Sequence, residues 1–251
     1  MKAPRVVETQ VRVRFEECQP GGEIRASTFL RYAQDAAWVH SDAAGFDRAW
    51  YRDRGLSWLV RCLTLEIVGP SLAGETLTVS TEVVAMRRVL ARRHGEIRDA
   101  VGDVVAVVET DWLMTGAGLS PVRIPADFDV AFPPVPSSFE PARVSLPATP
   151  PDAHRRRFHV RRAEVDPMAH VNNASYVDYL EESLAEAGAL AALSARPRRY
   201  VLEYQQAAEP GAALVAATWP DGEGWAYRLT DDAGVDLLRA RFTPRADVHV
   251  P

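Results

Sequence analysis

Residues 6–16 alternate between apolar and polar, with Val7, Thr9, Val11, Val13 and Phe15 sharing one face, the period of a half-buried strand. The turn Gln19-Pro20-Gly21-Gly22 follows. From Ile24 to Ala44 the period lengthens, and Phe29, Leu30, Ala33, Ala36, Ala37 and His40 mark the buried face of a helix that stops near Gly45. Strand-like runs come next at Ser57–Val68, Glu75–Met86, Ala91–Ala100 and Val104–Met114, with a hairpin turn at Ala100-Val101-Gly102-Asp103.

Residues 119–152 carry nine prolines and little periodicity, which predicts an extended linker. The same order then returns: a strand at Arg157–Arg162, a turn at Asp166–His170, and a helix over 173–190 with Tyr176, Val177, Leu180 and Leu184 on one face. Strands are predicted at Arg199–Gln206, Ala212–Trp219, Gly224–Thr230 and Val235–Thr243. Shifting the turn region by 147 sets Pro20 on Pro167, Phe29 on Tyr176 and Tyr32 on Tyr179. A shift of 137 sets Leu65-Glu66 on Leu202-Glu203 and Gly74 on Gly211; a shift of 132 sets Asp99 and Gly102 on Asp231 and Gly234. The chain thus reads as a duplicated strand–long helix–four-strand unit. The predicted class is α+β, with an N-terminal domain over 1–118, the linker, and a C-terminal domain over 153–251. Pairing the two copies into one continuous antiparallel sheet would cover the edges that each alone leaves bare.

Composition narrows the chemistry. The chain has 251 residues, enough for two cores of about 120 residues each. A formal net charge of −5 speaks against a nucleic-acid binder, and no apolar run nears the ~18 residues of a membrane span. The N-terminal residues lack a signal-like apolar stretch, so a cytoplasmic protein is expected. Cys18 and Cys62 have no neighbouring histidine in sequence and read as structural. The six histidines show no metal-ligand spacing, and no glycine-rich phosphate loop is present, so no metal or cofactor is expected.

The candidate chemistry lies in Asp166-Pro167-Met168-Ala169-His170-Val171-Asn172-Asn173, which joins a strand to the second long helix. Amides at a helix start lack internal partners and favour developing negative charge. Asp166 would serve as nucleophile or general base and His170 as acid/base, with the backbone near Ala169, Val171, Asn172 and Asn173 meeting an oxyanion. The competing reading makes the asparagines helix caps, Asp166 a turn residue and His170 a packing residue. The first half has Gln19, Glu23, Arg25 and Ala26 at the corresponding positions, which suits one live site and one retired one.

The run Asp166-x-x-x-His170-Val171-Asn172-Asn173-x-x-Tyr176, continuing to Tyr179-Leu180-Glu181-Glu182, resembles the hot-dog thioesterase signature. The tandem layout, Trp58-Leu59-Val60-Arg61, Pro70…Gly74-Glu75 and Ile124-Pro125 are similar to the acyl-ACP thioesterase family. The resemblance implies a double hot-dog fold, hydrolysis of acyl thioesters, no cofactor, and acyl carrier protein or coenzyme A as carrier; a homodimer is compatible with it. It places catalytic roles on Asp166 and His170, but puts Met168 where the family has asparagine and Ala207 where it has glutamate. The spacing Asp-Pro-Met-Ala-His is closer to hydroxybenzoyl-CoA-type thioesterases. Glu181 and Glu182 are then candidates for a second carboxylate, Phe29, Trp38 and Trp58 for an acyl pocket, and Arg87, Arg88, Arg198 and Arg199 for carrier binding. A non-cleaving acyl-thioester binder and a dehydratase using Gln19 and Glu23 are the alternatives.

Overall fold

The computed structural model describes residues 3–132, 136 and 138–244. The remaining positions, at the outer ends of the two expected domains and within the expected linker, lie outside the described residues. The chain divides into two compact units, Met1–Leu63 with Pro70–Ala142, and Thr64–Gly69 with Arg143–Pro251.

In the first unit β1 (Val6–Arg12) precedes the long helix α1 (Ala26–Ala43) and a short α2 (Arg48–Arg54). Then come β2 (Ser57–Ile67, which belongs to this unit through Leu63), β3 (Thr76–Arg87), β4 (Leu90–Arg98) and β5 (Val104–Thr115). The strand order is β1-β3-β4-β5-β2. Alternation in β1 holds as the sequence predicts, with Val7, Thr9 and Val11 half-buried between exposed neighbours. Along α1, Phe29, Leu30, Ala36, Ala37 and His40 are buried, so the 3.6-residue stripe does fix the face laid on the sheet.

The second unit repeats the plan. It runs β6 (His154–His159), α4 (Ser175–Leu184), α5 (Leu190–Leu193), β7 (Arg198–Tyr204), β8 (Ala213–Asp221), β9 (Gly224–Asp231) and β10 (Asp236–Pro244). Its order, β6-β8-β9-β10-β7, is that of the first unit strand for strand. The second long helix is broken where the sequence reads as continuous. After Leu184 the backbone widens through Ala185–Ala189, and Gly188 takes φ +89° before α5 begins. Strand β6 ends three residues earlier than the alternation suggests, because Arg161–Glu164 closes a tight turn.

Part of the proline-rich stretch is helical. It carries α3 (Ala126–Ala131), whose Phe128 stacks on Phe46 at 4.0 Å between ring centroids. Phe128, Ala131 and Phe132 join Phe46, Tyr51, Met86 and Met114 in a buried cluster of the first unit. Proline bars ladder pairing, but it does not bar a short helix that begins just after Pro125. Aromatic residues at 128 and 132, one turn apart, carry the burial that the prolines mask.

Candidate active site

The turn between β6 and α4 begins with a buried carboxylate. Glu164 accepts hydrogen bonds from Arg161 N (2.6 Å), Arg161 Nε (2.8 Å) and Tyr179 Oη (2.6 Å). Burial alone would raise its pKa, but the bonds from Tyr179 and Arg161 outweigh that and hold it below the usual carboxylate range. Its carbonyl accepts from Asn172 N at 2.8 Å, so Glu164 pins both ends of the loop that carries the candidate residues.

Within the loop, Asp166 N donates to His170 O and Ala169 N to Asp166 O, each at 2.9 Å. Ala169 sits at φ +63°, the left-handed region that non-glycine residues avoid. Asp166 is half-buried, and its Oδ1 accepts from Met168 N at 2.8 Å. That bond leaves the second carboxylate oxygen for other work. The charge of Asp166 is felt at Tyr176, whose hydroxyl is pushed up to about 12, chiefly by burial and further by Asp166. His170 is half-buried in the same loop.

The start of α4 is capped from within. Asn172 Oδ1 accepts from Ala174 N (3.0 Å), and Ser175 N donates to Asn172 O (2.9 Å). Of the four backbone groups nominated for an oxyanion, those of Ala169, Val171 and Asn172 donate to carbonyls of Asp166, Ala208 and Glu164. Asn173, half-buried, differs: its carbonyl is held by Tyr204 Oη at 2.9 Å. Ala208 ties the following loop down through Val171 N (3.2 Å) and through its own N–H to Tyr176 Oη (2.9 Å). Ala207, where the resemblance places a glutamate, is exposed beside that anchor and carries no ionisable group.

The other nominated residues scatter. Glu181 lies on α4, accepting from Tyr200 Oη (2.5 Å), while Arg198 Nε donates to that same hydroxyl (2.8 Å). Burial raises its pKa. Glu182 is exposed and pairs with Arg156 at 3.1 Å. Phe29 is fully buried and Trp58 packs at the edge of the Phe128 cluster, but Trp38 is 51% exposed on α1, with its ring edge-on to Tyr51. Arg198, at 2% exposure, is unsuited to a carrier surface, because its stripe position on β7 faces the core beneath Tyr200. Arg199 pairs with Glu66 (3.2 Å); Arg87 and Arg88 are exposed, and Arg87 pairs with Glu140 (3.9 Å) and donates to Phe139 O (3.3 Å). Cys18 is buried, its thiol pKa raised first by burial and then by Glu17.

Glu164, Arg161 and Tyr179 are positioning residues that composition does not single out. The signal that finds them is the repeat itself, for a shift of 147 sets Arg14, Glu17 and Tyr32 on them.

The acyl-ACP thioesterase N-terminal domain matches residues 4–128, and the acyl-ACP thioesterase C-terminal domain matches residues 148–240. No curated protein sequence matches the chain. Among solved structures, a protein described as an oleoyl thioesterase from Lactobacillus plantarum is similar at 21% identity and TM-score 0.82, covering 98% of each chain. The 12:0-ACP thioesterase from Umbellularia californica is similar at 19% identity and TM-score 0.80, covering 97% of this chain and 98% of that one. An acyl-ACP thioesterase from Bacteroides thetaiotaomicron is similar at 15% identity and TM-score 0.79, covering 95% and 97%. The fold is therefore the double hot-dog. The chain belongs to the acyl-ACP thioesterase family and is a thioester hydrolase.

Proposed function

We propose that the chain hydrolyses fatty acyl thioesters of acyl carrier protein, with the chemistry at the β6–α4 loop. The observation that carries this reading is the doubled loop, in which the second copy alone bears Asp166, His170, Asn172 and Asn173. Asp166 is the general base: one oxygen is held by Met168 N, and the other takes the proton of the attacking water. Asn173, at the mouth of α4, is the polar group that meets the thioester oxygen as charge builds on it. His170 protonates the departing thiolate. With alanine at 207, the water is handled by the loop itself and not by a carboxylate on the following segment.

Arg87 and Arg88 are exposed on the first unit and suit an acidic carrier. The test is release of free thiol from acyl-ACP and acyl-CoA by the wild type, Asp166→Ala and Arg88→Glu. The reading predicts thiol release from acyl-ACP that Asp166→Ala slows by about 10²–10⁴ and Arg88→Glu weakens through KM. Equal rates for wild type and Asp166→Ala would remove Asp166 from the mechanism. Tight binding with no thiol release would make the protein an acyl-thioester binder, and equal use of both carriers would leave acyl-CoA as the substrate.

A further inference from the structure

The second long helix starts later than the first. A shift of 147 sets Asn173 on Ala26, and Ala26 is already the first residue of α1, whereas α4 begins past Asn173, at Ser175. Val177 N turns to Ala174 O at 3.1 Å, a three-residue step, so the Asn173 carbonyl is left off the four-residue ladder that would otherwise take it. Tyr204 Oη takes it instead, at 2.9 Å. The N–H and the side-chain amide of Asn173 have no partner among the described residues, so this bond is what fixes the residue.

Tyr204 is a firm anchor for such a bond. It is buried at the end of β7, opposite Leu238 of β10, and its ring meets the buried Tyr176 ring edge-on at 5.4 Å. Tyr176 in turn accepts from Ala208 N at 2.9 Å. The hydroxyl of Tyr204 therefore reaches from the sheet to a residue that the helix itself does not hold. The repeat supplies the control. A shift of 137 sets Ile67 on Tyr204, and Phe29 stands for Tyr176, so both hydroxyls are missing from the copy that lacks Asp166 and Asn173. The loop closes there all the same, with Ile24 N on Ser71 O at 2.9 Å where the second copy has Val171 N on Ala208 O. Folding the loop does not require the hydroxyls. They accompany the reactive residues, at a place where a plain hydrocarbon would avoid the cost of burying a polar group.

We infer that Tyr204 is a positioning residue of the hydrolytic site: its hydroxyl locks the peptide between Asn173 and Ala174 and thereby aims the Asn173 side-chain amide at the thioester oxygen. The inference rests on the role given to Asn173 above, and adds the residue through which the sheet governs that amide. Without the hydroxyl the peptide is free to turn, and the amide spends part of its time off target. Substrate is then bound as before, but the charge that builds on its oxygen is met less well.

The test is steady-state thiol release from acyl-ACP by wild type, Tyr204→Phe, Asn173→Ala and the double variant. A 15N spectrum of the full chain goes with it, in which Asn173→Ala identifies the side-chain amide pair of Asn173. Phenylalanine at 204 keeps the ring against Tyr176 and so keeps the fold. Asn173→Ala should lower kcat by about 10²–10³, the range for losing an oxyanion donor. Tyr204→Phe should lower kcat about tenfold and leave KM within about twofold, the scale of one neutral hydrogen bond. In the Asn173→Ala background the same change should cost nothing further, because the group it aims is gone. A tyrosine that only supports the fold would cost the same factor in both backgrounds. That result, an unchanged kcat in Tyr204→Phe, or an effect confined to KM would each overturn the inference. The Asn173 amide pair should also shift in Tyr204→Phe, and an unmoved pair would break the link between the two residues whether or not the chain turns over. No thiol release by the wild type, or wild-type turnover in Asn173→Ala, would instead sink the hydrolytic role on which the inference rests.

Discussion

The loops before the two long helices are the same piece of backbone built twice. Gln19 N–Glu23 O (2.8 Å) repeats as Asp166 N–His170 O (2.9 Å), and Gly22 N–Gln19 O (3.0 Å) as Ala169 N–Asp166 O (2.9 Å). Arg25 N–Glu17 O repeats as Asn172 N–Glu164 O, and Ile24 N–Ser71 O as Val171 N–Ala208 O. Even the buried clamp recurs, with Tyr32 Oη on Glu17 (2.5 Å) answering Tyr179 Oη on Glu164 (2.6 Å). What differs is the side chains that this shared frame presents. In the first copy Gln19 Nε2 reaches Glu23 at 3.4 Å and Arg25 bonds Glu16 O, so the polar groups satisfy one another. The second copy puts a carboxylate, an imidazole and two amides on the frame. The frame is thus structural, and the chemistry is a choice of residues laid upon it.

The sharpest way to break the comparison is to substitute the same frame position in each copy. Asp166→Ala should lower kcat for acyl-thioester hydrolysis by about 10²–10⁴, the range for losing a general base, while Gln19→Ala should leave it unchanged. Comparable losses in both would show that the frame, and not the carboxylate, limits the rate. His170→Ala should cost less, roughly tenfold to a hundredfold, and its loss should shrink for thioesters whose thiol leaves readily. A loss independent of the leaving group would take His170 out of proton transfer.

The duplication and the identity of every strand were legible because period-two and 3.6-residue patterns survive in both copies. Val7, Thr9 and Val11, and the stripe from Phe29 to His40, face inward as the pattern requires. Besides the break of the second long helix, three features were not legible. Helix α3 hid among prolines, since its burial rests on only Phe128, Ala131 and Phe132. Arg198 read as a surface charge because composition does not reveal that β7 buries alternate residues on the Tyr200 side. The fates of the loop amides were also hidden, for which carbonyl an N–H meets depends on the fold of residues some 40 positions away, as with Val171 and Ala208.

A difference in pH response comes next in size. His40 lies at the inner end of α1 against Arg93 and the Phe132 ring, and a shift of 147 puts Ala187 at its place in the second copy. Its pKa, near 6.5 in the unfolded chain, falls to about 4 in the fold. Between those values the unfolded state binds a proton that the native state refuses, so stability rises with pH across that window. It is fully present above about 6.5 and is lost as pH falls toward 4, by on the order of 2–3 kcal/mol. Denaturant titrations of wild type and His40→Gln between those pH values should show a flatter slope for the variant. Parallel slopes would assign the acid sensitivity to other groups.

The clamps offer a smaller contrast. Glu164 is 8% exposed, while Glu17 is only half-buried, so losing the tyrosine hydroxyl should hurt the second copy more. Tyr179→Phe should cost about 1–3 kcal/mol by leaving a buried carboxylate short of a donor, and Tyr32→Phe about 1 kcal/mol or less. Equal midpoint shifts would mean that both carboxylates find replacement water.

The smallest effect is the most local. The frame needs a left-handed residue at one position, and the first copy fills it with Gly22 at φ +88°, the second with Ala169 at φ +63°. A Cβ in that region costs roughly 1 kcal/mol, so Ala169→Gly should relieve it, less what glycine gains in unfolded-state entropy. The net expectation is a gain of a few tenths of a kcal/mol, read as a rise in the denaturation midpoint. Gly22→Ala in the first copy should move the midpoint the other way by a similar amount. The pair also separates strain from catalysis, because Ala169 N keeps its bond to Asp166 O in the glycine variant. If turnover falls although that bond and the stability are kept, then the alanine methyl restrains Asp166 and His170, and the second copy has given up a little stability to hold its reactive residues still.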